Sequence, residues 1–149
     1  MDTRQKIKSD SILALKAGDK RLVSVLRYLT SLIDKRELAM PVSLSMTEEI
    51  VMEVLRKELK NKKESRLMFE KGGRVDLVAE VDFEIEVLSA YLPAEIGQEE
   101  IRKEVVKVIE EKGVVFGEIM KQVMTKFKGE VDGQVVSSIV KEEIERLNG

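Results

Sequence analysis

Three basic residues, Arg56, Lys60 and Lys63, fall at i, i+4 and i+7, with Lys57, Lys62 and Arg66 beside them. On a helix that spacing stacks the cations on one face, where each like-charge pair costs roughly 0.2–0.5 kcal/mol. An opposing charge is therefore expected nearby, and two sources fit. One is a phosphate backbone, whose neutralisation releases counterions and strengthens binding at low salt. The other is the chain itself: Asp76, Glu80 and Glu84 form an acidic row of the same period beyond Gly72-Gly73, and a helix folding back antiparallel would oppose the two rows. A second basic group comprises Arg4, Lys8, Lys16, Lys20, Arg21 and Arg27. It reads either as solvated surface or as a surface for folded RNA, which is recognised by phosphate and 2′-OH contacts more than by stacking. Tyr28, Phe69, Phe83, Tyr91, Phe116 and Phe127 mostly fall on apolar faces, so a stacking platform for single strands is not expected.

Other chemistries have little support. The chain has no cysteine and no histidine, which removes disulfides, Cys/His zinc sites, Ser-His-Asp triads and Cys-His dyads together. The carboxylate pairs Glu80/Glu84 and Glu142/Glu143 lack the Glu-x-x-His partner of helical two-metal sites. Ser138-Ile139-Val140-Lys141 matches S-x-x-K without the companion motifs that give that pattern meaning. Met120 and Met124 sit on an apolar stripe and read as core. Neither Gly72-Gly73 nor Gly129 to Gly133 has the spacing of a phosphate-cradling loop. The turn Lys128-Gly129-Glu130-Val131-Asp132-Gly133 reads as a helix connector, or as amides that meet a phosphate at the start of the last helix. No catalytic residue, metal or cofactor is expected.

The elements that must position these groups are helices. In 149 residues, 36% are charged and only 4% aromatic, a profile that favours an all-α protein over sandwiches and barrels. Net charge is −2, yet the segment from Arg4 to Arg36 carries a local excess of six positive charges and Arg56 to Arg74 one of five. Apolar spacing predicts a first helix over about 2–17 with Ile7, Ile12, Leu13 and Leu15, and Gly18 to end it. Asp19 caps a second, which carries Leu22, Val25, Leu26, Leu29, Leu32 and Ile33 and fades near Leu38. Ser45 and Glu48 have capping-box spacing, predicting the start of a third helix that Gly72-Gly73 stops. The fourth runs from about Val75 and is ended by Pro93. Three shorter helices follow, stopped at Gly113 and Gly129, with Asp132 capping the last. The expected organisation is a four-helix N-terminal domain, 1–92, followed by a small three-helix C-terminal domain, 93–149. With its longest uncharged run only ten residues, Leu38 to Thr47, and no apolar leader at MDTRQKIK, the chain is expected to be cytoplasmic, with no membrane partner.

Five stretches then assemble into a known pattern. Lys16-Ala17-Gly18-Asp19-Lys20-Arg21-Leu22, Val25-Leu26-Arg27, Phe69 to Leu77 around Gly72-Gly73-Arg74, Tyr91-Leu92-Pro93, and Lys128-Gly129 with Asp132-Gly133-Gln134-Val135-Val136 stand in the order and at the distances found in the YqeY family of GatB/YqeY proteins. The chain resembles that family over essentially its whole length. The resemblance implies an all-α fold of four plus three helices and kinship with the tail of the B subunit of the aspartyl/glutamyl-tRNA amidotransferase, where the corresponding module contacts tRNA. It brings no catalytic machinery, because glutaminase and transamidation chemistry reside in parts of that complex with no counterpart here.

Two departures stand out. Many relatives read Gly-Arg-Ala-Asp-Gly-Lys where this chain has Gly129-Glu130-Val131-Asp132-Gly133-Gln134, which weakens an RNA role for that turn. Lys62 and Lys63 replace an arginine pair, keeping charge but losing bidentate geometry.

The leading expectation is a non-catalytic accessory module that binds tRNA or a tRNA-modifying complex through Lys16, Lys20, Arg21, Arg27, Lys60, Lys62, Lys63, Arg74 and Lys128. A protein-binding adaptor, using a groove between the two domains and exposed Met40, Val42 and Met46, is the alternative. Carbon–nitrogen ligase activity with glutamine as nitrogen donor, as part of a larger complex, is a weaker one.

Overall fold

The computed structural model describes residues 1–127 and 130–149. Within them the chain forms α1 (Thr3–Lys16), α2 (Lys20–Leu38), α3 (Glu48–Lys71), α4 (Val75–Ser89), α5 (Gln98–Lys112), α6 (Phe116–Phe127) and α7 (Gly133–Asn148), with no strand among the described residues. The contacts divide it into two compact units, Met1–Leu92 and Pro93–Gly149, each with its own apolar cluster.

In the first unit, α1 ends at Gly18, whose φ of 75° is the left-handed conformation that glycine adopts without a Cβ penalty. Asp19 then accepts a hydrogen bond from the Leu22 amide and starts α2. The reversal makes α1 and α2 antiparallel, and Arg4 at one end of α1 clasps Asp34 at 2.6 Å and Glu37 at 2.9 Å near the end of α2. Helices α3 and α4 form a second antiparallel pair about Gly73, with φ 70°. The core between the pairs comes from Ile7, Leu26, Leu29, Ile33, Val51, Leu55, Leu59 and Leu88.

Helix α1 departs from its apolar spacing. Of the four residues that mark it, only Ile7 is buried, joined by Ala14 one heptad on, whereas Ile12, Leu13 and Leu15 are more than half exposed. Only the stripe through Ile7 and Ala14 faces the core, so the other three spread over the outer side.

The start of α3 also differs. Thr47, not Ser45, is its N-cap and accepts from the Ile50 amide at 3.2 Å. The side chain a Ser45 box would need, that of Glu48, instead accepts hydrogen bonds from the amide and hydroxyl of Thr3. Thr47→Ala is accordingly expected to lower stability by about 0.5–2 kcal/mol, and Ser45→Ala to leave it unchanged, as read by urea denaturation.

The second unit packs Ile101, Val105 and Val108 of α5 against Ile119, Val123 and Phe127 of α6 and Val136, Ile139 and Val140 of α7. Gly113, with φ 90°, ends α5. Asp132 caps α7 by accepting from the Gln134 amide. Arg102 of α5 reaches Glu142 and the buried Glu143 of α7, each at 2.7 Å. No helix among the described residues is long and apolar enough to cross a membrane.

Candidate nucleic-acid interface

Antiparallel pairing of α3 and α4 answers part of the basic row from within. Lys62 lies 2.7 Å from Glu84 and 3.7 Å from Glu58. Burial alone would lower the Lys62 pKa, but the hydrogen bond and the charges of Glu84 and Glu58 outweigh it and hold the ammonium above its ordinary range. Arg66 bridges Asp82 and Glu70, and its hydrogen bond to Asp82 raises its pKa. Arg74 pairs with Asp76 at 3.2 Å, which holds that carboxyl below the usual carboxylate range. The acidic row therefore meets the flanking Lys62, with Arg66 and Arg74 taken by carboxylates as well, while Arg56, Lys57 and Lys60 carry no ion pair among the described residues. Lys63 is exposed and has a partner of its own.

The first hairpin sorts its cations differently. Arg4 is a clamp: its hydrogen bonds to Glu37 and Asp34 hold its charge firmly and pull the Glu37 pKa down. Lys16, Lys20 and Arg27 are exposed and carry no ion pair among the described residues. Lys16 and Lys20 flank the Gly18 turn, and Lys20 shares an outward stripe of α2 with Arg27, seven residues on. Lys20 and Arg21 also occupy the first turn of α2, which holds no acid. Cations at that end oppose the helix dipole and cost on the order of 0.3–1 kcal/mol each, a cost that a bound anion reverses. Arg21 is held differently again, with its guanidinium 3.9 Å above the ring centre of Phe83 in α4. Its N–H groups have no hydrogen-bond acceptor among the described residues, so stacking fixes the side chain and leaves its edge open.

The candidate residues thus fall into distinct sets. Lys16, Lys20, Arg21 and Arg27 gather on the first hairpin with open charges, and Lys60 stands open on α3. Lys62 and Arg74 are committed to carboxylates. Lys128 lies outside the described residues. Two of the six aromatics depart from the expectation of apolar faces: Phe116 at the start of α6 is 39% exposed, and Tyr28 on α2 is 45% exposed. Its helical spacing placed it beside Leu29 and Val25, and only the approach of α3 and α4 determines which side of the stripe stays open.

The two tyrosines differ sharply. Tyr91, half-buried, donates a 2.6 Å hydrogen bond to Asp10, and burial together with that bond pushes its pKa well above the ordinary value. An unfolded chain loses this phenolic proton first, near pH 10, so stability falls as pH rises through that range. In a Tyr28→Phe background, ultraviolet titration should show Tyr91 ionising well above pH 10, and Asp10→Asn should bring the transition down.

The model of the protein family described as Yqey-like protein matches residues 4–144 of the chain. No curated protein matches it in sequence.

Proposed function

The chain belongs to the YqeY family, and on that premise we propose that it is a non-catalytic helical module that binds tRNA, alone or within a tRNA-modifying complex. One observation carries the reading. Where the first unit has acids in reach, its cations are spent internally, as at Arg4, Lys62, Arg66 and Arg74. On the first hairpin, Lys16 at the end of α1 and Lys20 and Arg27 on α2 are exposed without such partners among the described residues, and Lys20 stands in the first turn of α2, where the helix dipole favours an anion. A helical surface of open cations suits a folded RNA read through its phosphates. Kinship with the amidotransferase tail, implied by the resemblance, agrees with tRNA as that RNA.

The test is a filter-binding titration of the intact protein with tRNA across a range of salt. Affinity should rise as salt falls, with log affinity linear in log salt. No salt-dependent affinity at low ionic strength removes the proposal.

A protein-binding role has its own observation: Leu38, Val42 and Leu44 in and beside the α2–α3 connection are strongly exposed, whereas Met40 is half-buried and Met46 packs on the core. A pull-down that recovers proteins and no RNA favours that alternative.

A further inference from the structure

We propose that the cleft between α2, α3 and α4 receives an unpaired nucleobase bearing an amino group, stacked on Tyr28. The proposal deepens the RNA reading above and rests on it for the source of the base.

The cleft has a volume of about 380 Å³, toward the lower end of the roughly 300–1,000 Å³ typical of small-ligand sites. Leu29 and Leu88, both almost wholly buried, underlie it, and the half-buried Val25 is the aliphatic side chain of the lining that a ligand can reach. That lining is suited to a flat, weakly hydrated group. Tyr28 supplies the aromatic surface, and its hydroxyl, unlike that of Tyr91, makes no hydrogen bond among the described residues. An exposed ring with an unspent polar tip, set in a concavity, suits base stacking.

Charge in the cleft decides what kind of ring fits. The Lys62 ammonium lies over the Tyr28 ring, 5.2 Å from its centre, and Glu84 and Glu58 already answer its charge, so a base that stacks there displaces the ammonium from the ring face while the two carboxylates hold it. The interior therefore asks for a neutral group. The Ser24 hydroxyl has no hydrogen-bond partner among the described residues, and Glu84 spends Oε2 on Lys62 while Oε1 has none. A plain phenyl ring would leave these groups unanswered, whereas the exocyclic amine of adenine, cytosine or guanine donates to the Glu84 oxygen. The phosphate of such a nucleotide is met outside the cleft. Arg21 lies one turn before Ser24 and Val25 on α2, and Phe83, on which it stacks, precedes Glu84 on α4. The same two helices thus carry a neutral slot and, one turn away, an open guanidinium edge, matching a base and its phosphate.

The experiment titrates the intact protein with AMP, CMP, GMP, UMP and ribose 5-phosphate, following the Tyr28 ring resonances by NMR. AMP, CMP and GMP should shift them, UMP less, and ribose 5-phosphate not at all. Tyr28→Ala should weaken tRNA binding about 5- to 150-fold, the loss expected for one base–aromatic stack. Tyr28→Phe, which preserves the ring, should keep most of the affinity, and Glu84→Gln should erase the preference over UMP. Circular dichroism identifies any variant that has lost its helices.

If no nucleotide shifts Tyr28 and Tyr28→Ala binds tRNA like the parent, the cleft proposal is wrong while the RNA reading stands. Equal shifts with ribose 5-phosphate also overturn it, since they report an anion and not a base. Nucleotides shifting Tyr28 in a protein with no affinity for tRNA would support the cleft and sink the RNA reading.

Discussion

Replacing Lys16, Lys20 and Arg27 together by glutamine is expected to flatten the salt dependence of tRNA binding by about 2 to 3 in the log–log slope, because each phosphate contact contributes on the order of 0.7–0.9. The loss should be nearly uniform across tRNA sequences, since a phosphate contact carries no base information. The same replacement at Lys62 and Arg74 should move the slope far less. Those cations already hold Glu84, Glu58 and Asp76, so a phosphate would have to displace a partner at 2.7 to 3.7 Å. Filter binding on both variants, with circular dichroism to verify folding, makes the comparison. A drop of about 1.4 to 1.8 in the slope of the double variant, the full amount for two phosphate contacts, would mean that internal pairing does not decide which cations meet RNA. Glutamine preserves helix propensity and removes only the charge, which keeps the comparison electrostatic.

Ile119→Ala is expected to unfold the second unit. Ile119 is fully buried among Val123, Val136 and Val140. Truncating a buried isoleucine costs about 2–5 kcal/mol through lost transfer energy and the cavity left behind. A core of this size rarely supplies more than about 3–5 kcal/mol in total, so the change consumes most or all of it. Hydrogen-exchange mass spectrometry should show the amides of α5, α6 and α7 losing protection while those of α1 to α4, built on a separate cluster, keep theirs. Ile119→Val, costing about 0.5–1.5 kcal/mol, should leave the unit folded. Full protection in the alanine variant would show that the second unit draws stability from more than its own core.

Local physics explains which expectations survive in the fold. Gly18 and Gly73 stop helices by backbone freedom, and Asp19 and Asp132 start them by accepting amide hydrogen bonds two or three residues on. These effects are complete within one turn, so they are visible in the order of residues. The Ser45 box fails because its carboxylate belongs to Thr3, 45 positions away, and no local rule anticipates that capture. Separation in sequence also hides one partner of Arg66, since Asp82, 16 positions on, reaches it only once α3 and α4 lie side by side. Exposure of Ile12 and Leu15 is likewise a matter of which stripe of α1 the other helices cover.

For the candidate site, residue order alone determined that the chain is helical, that it belongs in kind with the YqeY proteins, and that two of its stretches are rich in cations. Tertiary structure decided which of those cations remain available. Coulombic neutralisation requires a carboxylate within a few ångströms, and packing sets that distance: it brings Glu84 to Lys62 and, among the described residues, forms no ion pair with Lys20 or Arg27. The packing of α3 and α4 against α2 likewise turned Tyr28 from a residue beside a core stripe into the wall of a cleft.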